Sequence, residues 1–470
     1  MNILLIVMDQ LRSDALGYSG GWVKTPALDR LAREGMQFTN CVTTSPVCVP
    51  ARFSQATGLY PHQLNVWDND NVVLNASVPT WMQSIRRSGY RTSLFGKLHL
   101  FSDQRLADIR KRAPLLHAYG FDDIDEVEGP ISSIRNISNL TAQWYEQGYW
   151  SAFRRDLQQR FHRKRHVVRA SPLPLELYFD NYIGQQALNY LRSYQHPQPW
   201  MCMVSFTGPH DPFDTPEPYA SYHAPEDMPP PRTLDMGQHP RPLGNLDAHL
   251  AKNRIHFEPG EVARIRSNYA GNVSLIDEQI GRILTHLEDS GALEKTAIFV
   301  VADHGEMLGD ANCLYKKVFL DGAVRVPLLA RVPGVTTAGQ VSDTLVEWSD
   351  LGPTLVALAG GTLHPQGARS FLPTLIDPDF EHREFALCEF NHEGMLLTRQ
   401  WKAAFNSKGL VYLLFDRNND PLESRNLAGL PHVASVEGEM TMKLRARFQK
   451  LQLLSGALPS HPVKFLDGRQ

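Results

Sequence analysis

Ser45-Pro46-Val47-Cys48-Val49-Pro50-Ala51-Arg52, which runs on to Thr57-Gly58, decides how the rest of the chain is read. A free cysteine usually packs as a small buried hydrophobe. Here its neighbours argue for chemistry. Pro50 fixes its own backbone angle and biases Val49 towards extended geometry, and Pro46 does the same on the other side. Arg52 follows Cys48 by four residues, so at a helix start the two side chains share a face. That sets a permanent cation beside the cysteine, at a helix N-terminus that already favours negative charge.

Other polar groups of interest follow apolar runs. Residues 2–8 read as a buried parallel strand ending at Asp9-Gln10. Open α/β sheets bind ligands at the carboxyl ends of their strands, although on position alone Asp9 could equally cap a turn. Residues 25–35 read as a helix with Pro in its first turn and Gly after its end. Residues 80–88 read as a helix and 89–95 as the next strand, which ends in Gly96-Lys97-Leu98-His99. By itself an exposed Lys-x-His is a solvated pair. The strand at 200–206 ends in Thr207-Gly208-Pro209-His210-Asp211-Pro212-Phe213, which places a histidine between two prolines. The strand at 297–302 leads to Asp303-His304-Gly305-Glu306. Asp303-His304 could be a capping turn, but opposite Asp9 and Gln10 it suits a metal better, with hard oxygens and one imidazole. Residues 175–194 and 264–290 read as amphipathic helices. The run from 160 to 169 is basic and reads as a solvated helix face, or as an insertion that shapes a mouth attractive to anions. After about 365 the pattern changes to short strands near 385–390, 394–398, 401–405 and 410–415, then a helix over about 434–454.

In this order these places resemble the sulfatase family. Cys48-Val49-Pro50-Ala51-Arg52 is similar to the signature Cys-x-Pro-x-Arg, whose cysteine is oxidised after translation to formylglycine. The hydrate of that aldehyde is the family's nucleophile. Val49 stands where the family has a small residue or Thr, and Gln55-Ala56 where it has apolar residues. Gly96-Lys97-Leu98-His99 resembles the second signature, Gly-Lys-x-His, and the 209–213 segment resembles Pro-His-x-Pro-Phe. Lys316, ahead of Arg325-Val326-Pro327, aligns with the lysine of a Gly-Lys pair, with Tyr315 replacing the Gly and Lys317 a bystander.

The resemblance implies an α/β, alkaline-phosphatase-like fold: a mixed, mostly parallel sheet between helices, with a small C-terminal α+β domain carrying an antiparallel sheet. It divides the chain into 1–365, catalytic, and 366–470. It implies sulfate ester hydrolysis by Cys48, Arg52, Lys97, His99, His210 and Lys316. One divalent metal is expected on Asp9, Gln10, residue 48, Asp303 and His304. Ca²⁺ is the commonest in the family, with Mn²⁺ and Mg²⁺ as alternatives. His304 stands where the family more often has Asn, and an imidazole shifts preference from Ca²⁺ towards Mn²⁺. Lys97, His210 and Lys316 are expected on the substrate, joined by Asn69 from the loop after the nucleophile helix. The partners implied are a small-molecule sulfate ester and a formylglycine-generating enzyme acting on the unfolded chain. A homo-oligomer stays open. Gln10 and His304 lean towards a phosphonate monoester or phosphodiester hydrolase, while Lys97 and His99 lean back. A non-catalytic binding protein on the same scaffold is the alternative of another class.

Composition sets the outer bounds. The 470 residues can bury a large core, and a formal net charge of −3 gives no reason to expect nucleic acid or a membrane as partner. Five cysteines without metal-type spacing argue against a disulfide framework. The apolar start at 2–8 is too short for a leader and lacks basic residues, which predicts a cytoplasmic protein with incidental Asn-x-Ser/Thr triplets at Asn75, Asn136, Asn139 and Asn272.

Overall fold

The computed structural model describes residues 1–102, 107–163, 166–236, 254–363, 367–454 and 462–466. Among these residues, eight strands form the main sheet: β1 (Asn2–Met8), β2 (Met36–Val42), β3 (Arg91–Gly96), β4 (Asp123–Glu126), β5 (Trp200–Phe206), β6 (Thr296–Ala302), β7 (Arg325–Arg331) and β8 (Gln340–Glu347). Their order is β8-β2-β7-β6-β1-β5-β3-β4. Only β7 runs against its neighbours. The central strands β1, β5 and β6 are apolar on both faces and buried along their length, as parallel strands covered on both sides must be.

Because seven strands point the same way, their carboxyl ends share one edge of the sheet. Asp9 leaves β1 there, Lys97 leaves β3, the 207–213 loop leaves β5 and Asp303 leaves β6. Helix α1 (Pro26–Glu34) carries Pro at its start, and Asp277 caps it from outside by accepting from the backbone of Ala27 (2.9 Å) and Leu28 (2.8 Å). Helix α2 (Cys48–Thr57) follows β2 and ends at Gly58, whose φ of 73° is the left-handed geometry that favours glycine. Helices α3 (Phe179–Ser193) and α4 (Glu261–Asp289) pack on each other, and α1 packs on α4.

A second, antiparallel sheet holds β9 (Ala386–Phe390), β10 (Glu393–Leu397), β11 (Trp401–Phe405) and β12 (Val411–Asp416) in sequence order. Its two-residue periodicity separates two packed faces. Leu387, Leu396 and Leu414 meet Met440 and Leu444 of helix α5 (Ala434–Leu454). Cys388, Met395 and Leu397 meet Val42, Val47 and Phe319 of the large sheet's side. The expected boundary at 365–366 lies outside the described residues, which resume at 367. No helix among the described residues is long and apolar enough to cross a membrane.

Candidate active site

Cys48 is the first residue of α2, and all ten residues of that helix are buried. Val47 before it is extended, as a residue that opens a helix usually is, whereas Val49, expected to be extended ahead of Pro50, is helical. Asn69 reaches in from the following loop, and its Oδ1 accepts from the backbone N–H of Val49 at 3.0 Å. It thus supplies the capping acceptor that Val47 cannot. Arg52, one turn on, donates through Nε to Asp303 Oδ2 (2.8 Å) and through Nη1 to the Lys97 carbonyl (2.6 Å) and Ser205 Oγ (3.2 Å). One guanidinium therefore fastens α2 to the ends of β6, β3 and β5. Gly96 permits the turn into Lys97: its φ is 100°, and a Cβ there would stand 2.0 Å from the Ser205 carbonyl oxygen.

Around Cys48 Sγ lie His304 Nε2 at 3.0 Å, Lys316 Nζ at 3.2 Å and Asp9 Oδ1 at 3.9 Å. Lys97 Nζ pairs with Asp9 Oδ2, which also faces Arg52 Nη2 at 3.5 Å. Burial alone would push the Cys48 thiol up, but Lys316, Lys97 and His304 outweigh it and hold the thiol well below the ordinary cysteine range. Burial raises Asp9 too, as does Cys48, and the charges of Lys97, His210 and Arg52 win and lower it. Burial and then Lys97 lower His99. His210 is also pressed down by burial and by Lys316, yet Asp211, Asp9 and Cys48 prevail and raise it. His210 Nδ1 sits 2.7 Å from the Asp211 carbonyl oxygen, which fixes the ring's orientation.

The donor set fits a divalent ion. One ligand atom each from Asp9, Cys48, Asp303 and His304 lies within 4.8 Å of all the others. His304 Nδ1 is 3.0 Å from the Gly305 carbonyl oxygen; a proton there leaves Nε2 as the lone-pair donor facing the cluster. Asp9 Oδ1 has the thiol at 3.9 Å and His304 Nε2 at 3.6 Å as its nearest polar neighbours, so its lone pairs are open to a cation. Gln10 reaches this group differently: its Oε1 accepts from Lys316 Nζ at 2.5 Å, and its φ of 70° is rare for a residue with a side chain.

The cluster forms the floor of a cavity of about 700 Å³. Cys48, Asn69, Lys97, His99, His210 and Lys316 all face it, whereas Arg52, Asp9, Gln10, Asp303 and His304 lie beneath. Lys317 also lines the cavity and pairs with Asp68 at 2.5 Å. Sequence reading gave no role to the 128–136 segment, yet Glu128, Arg135 and Asn136 build one wall. The basic run is a solvated face only in part, with Phe161 and His162 exposed. Arg160 is buried and donates to Asp156, Val167 and Arg169, and His166 lines the cavity. Arg160 is where it is because three carbonyl oxygens and one carboxylate need a donor there. Lys164 and Arg165 of that run lie outside the described residues.

Known proteins of similar sequence and fold give the family. The sulfatase family profile matches residues 1–361, and that of the C-terminal part of N-sulphoglucosamine sulphohydrolase matches 309–450. The chain belongs to the sulfatase family. It is 29% identical to an arylsulfatase of Clostridium perfringens over 454 residues, covering 91% of this chain and 90% of that protein. It is 29% identical to a choline-sulfatase of Rhizobium meliloti over 461 residues, covering 92% and 83%. The crystal structure of the phosphonate monoester hydrolase of Agrobacterium radiobacter superposes with a TM-score of 0.75 at 26% identity, over 96% of each chain. The fold is that of the alkaline phosphatase superfamily, with the small antiparallel sheet included.

Proposed function

We propose that this protein hydrolyses sulfate esters, with residue 48 converted to formylglycine and its hydrate as nucleophile. One observation carries the reading: Cys48 alone of the five cysteines sits on the cavity floor among fixed cations. The thiols of Cys41, Cys202, Cys313 and Cys388 are buried and pushed up by that burial, as inert core cysteines are. The Cys48 Sγ position stands in for an oxygen of the hydrate.

A sulfuryl group placed above Cys48 meets Lys97 and Lys316, which offset the charge that grows on its oxygens. Arg52 holds the ends of three strands in register beneath it. His210, whose proton affinity is raised, is suited to protonate the leaving oxygen. His99, whose proton affinity is lowered, is suited to take the proton that residue 48 gives up when sulfate departs. When bound, a divalent metal held by Asp9, residue 48, Asp303 and His304, with Gln10 beside them, would supply Lewis acidity and lower the hydroxyl pKa of the hydrate.

Gln10, His304 and the likeness to a phosphonate monoester hydrolase favour a second reading, cleavage of phosphonate monoesters by the same residues. Turnover of an aryl sulfate and an aryl phosphonate monoester, measured side by side on one preparation, separates the two. The proposal expects the higher kcat/KM on sulfate. A preference for phosphonate overturns it in favour of the second reading, and no turnover of either favours a binding protein.

A further inference from the structure

Glu306 lies wholly buried two residues beyond His304 and takes no direct part in the chemistry above. Its Oε1 accepts from the backbone N–H of Leu308 (3.1 Å) and of Tyr315, which pins the loop that delivers Lys316. Its Oε2 accepts from Gln10 Nε2. Gln10 Oε1 in turn accepts from Lys316 Nζ, and Lys316 Nζ lies 3.2 Å from Cys48 Sγ. The result is one chain of donors and acceptors from Glu306 through Gln10 and Lys316 to residue 48.

The direction of this chain is forced. A carboxylate only accepts and an ammonium only donates, so the amide between them has one satisfactory orientation. Its NH₂ must face Glu306 and its oxygen must face Lys316. The flipped amide would set oxygen against oxygen on one side and two donors against each other on the other. Gln10 cannot relax by moving its backbone: its N–H donates to Asp303 Oδ1 (3.0 Å), and its carbonyl accepts from the Tyr269 hydroxyl (2.8 Å).

Resting on the sulfatase reading, we propose that Glu306 is a positioning residue that sets the Gln10 amide so that its oxygen is presented to Lys316 and the metal. The neutral Gln10 then stands where a second carboxylate beside Asp9 would otherwise be needed.

Exchange of the two side-chain types tests this. In E306Q the oxygen of the new amide must stay with the Leu308 and Tyr315 N–H groups, so its NH₂ confronts that of Gln10. Gln10 must flip, and its NH₂ then faces Lys316. In Q10E/E306Q a carboxylate at position 10 accepts from the new amide at position 306 on one side and from Lys316 on the other, which restores the chain. Mn²⁺ affinity by calorimetry and kcat on an aryl sulfate are measured for wild type, Q10E, E306Q and the double variant. E306Q is expected to lose about 10- to 100-fold in Mn²⁺ affinity, the usual effect of removing a group that orients a ligand. Q10E alone sets two carboxylates together and is also expected to bind worse than the double variant, which recovers most of the loss. A double variant whose losses simply add, or an E306Q within twofold of wild type, overturns the proposal. If E306Q alone does not fold, Q10E binding Mn²⁺ as tightly as the double variant overturns it equally. Because Mn²⁺ binding needs no substrate, the cycle stands even if sulfate esters prove the wrong substrates, and that failure appears only in kcat.

Discussion

Two clusters of buried charge in this molecule use the same side chains for different ends. Around Asp350, the carboxylate accepts from Glu347 N (3.0 Å), Arg369 N (2.7 Å), His382 Nε2 (3.0 Å) and Arg383 Nε (2.6 Å), and from Arg383 Nη2. Every lone pair is used by the protein, and the cluster faces no cavity named above. Around Cys48, the nearest polar neighbours of Asp9 Oδ1 are His304 Nε2 at 3.6 Å and the thiol at 3.9 Å, neither a close hydrogen bond, and two lysines point at the same sulfur-centred space beneath an open cavity. A buried ion pair is itself weak evidence of function, since structural pairs are as common. The unspent bonding capacity at a strand's carboxyl end is what separates the two.

The contrast breaks most visibly at Cys48. Cys48→Ala is expected to remove essentially all turnover, about 10⁴-fold or more, because a nucleophile and its partners act as a unit. Its melting temperature should stay near wild type. A variant that keeps a tenth of kcat with contamination excluded would dissolve the distinction.

Next in size are the two histidines. His210→Ala should slow esters of poor leaving groups by about 10²- to 10⁴-fold while sparing nitrophenyl esters, which leave without a proton. His99→Ala should bring all esters to one common low kcat. A plot of log kcat against leaving-group pKa for both variants decides, and identical slopes would show the roles wrongly assigned.

At the structural cluster the effect moves from rate to stability. Asp350→Asn leaves Arg383 in the interior with Glu347, at 3.4 Å, as its remaining carboxylate partner, and breaking a buried pair in this way costs about 3–5 kcal/mol at most. Denaturant unfolding should show that loss while kcat of the folded fraction stays unchanged. A fall in kcat instead would mean this region reaches the site.

The smallest effect is on pH dependence. Burial raises the Asp350 carboxyl, but Arg383 and His382 outweigh it and hold it well below the ordinary carboxylate range. Its folded pKa is thus below its unfolded one of about 3.9, and the unfolded chain binds the extra proton. Its contribution is fully present above about pH 4 and is lost progressively as pH falls from there through the lower folded pKa. The stability gap between wild type and Asp350→Asn should therefore narrow in acid, and a gap that widens would contradict the sign.

Much of this was readable in the sequence because strand ends announce themselves. Asp9, Lys97, His210 and Asp303 each follow an apolar run, and parallel strands must bring such ends together. What escaped was whatever depends on partners far along the chain. Glu306 stood in plain view after Asp303-His304-Gly305, but nothing local says that it meets Gln10, 296 residues away. Asn69 gave no sign that its oxygen would cap α2. Arg160 looked like one charge among many until the carbonyls around it were seen, and the cavity wall at 128–136 has no periodicity or motif to mark it.

The central claim is that residue 48 acts as formylglycine. A peptide map by mass spectrometry, taken on a preparation whose aryl sulfate turnover has been measured, tests it directly, with Cys41 and Cys202 as internal controls. The account predicts an aldehyde at residue 48, unmodified thiols at the other two, and turnover proportional to the aldehyde fraction across preparations. Full turnover from protein whose residue 48 is entirely thiol would contradict it.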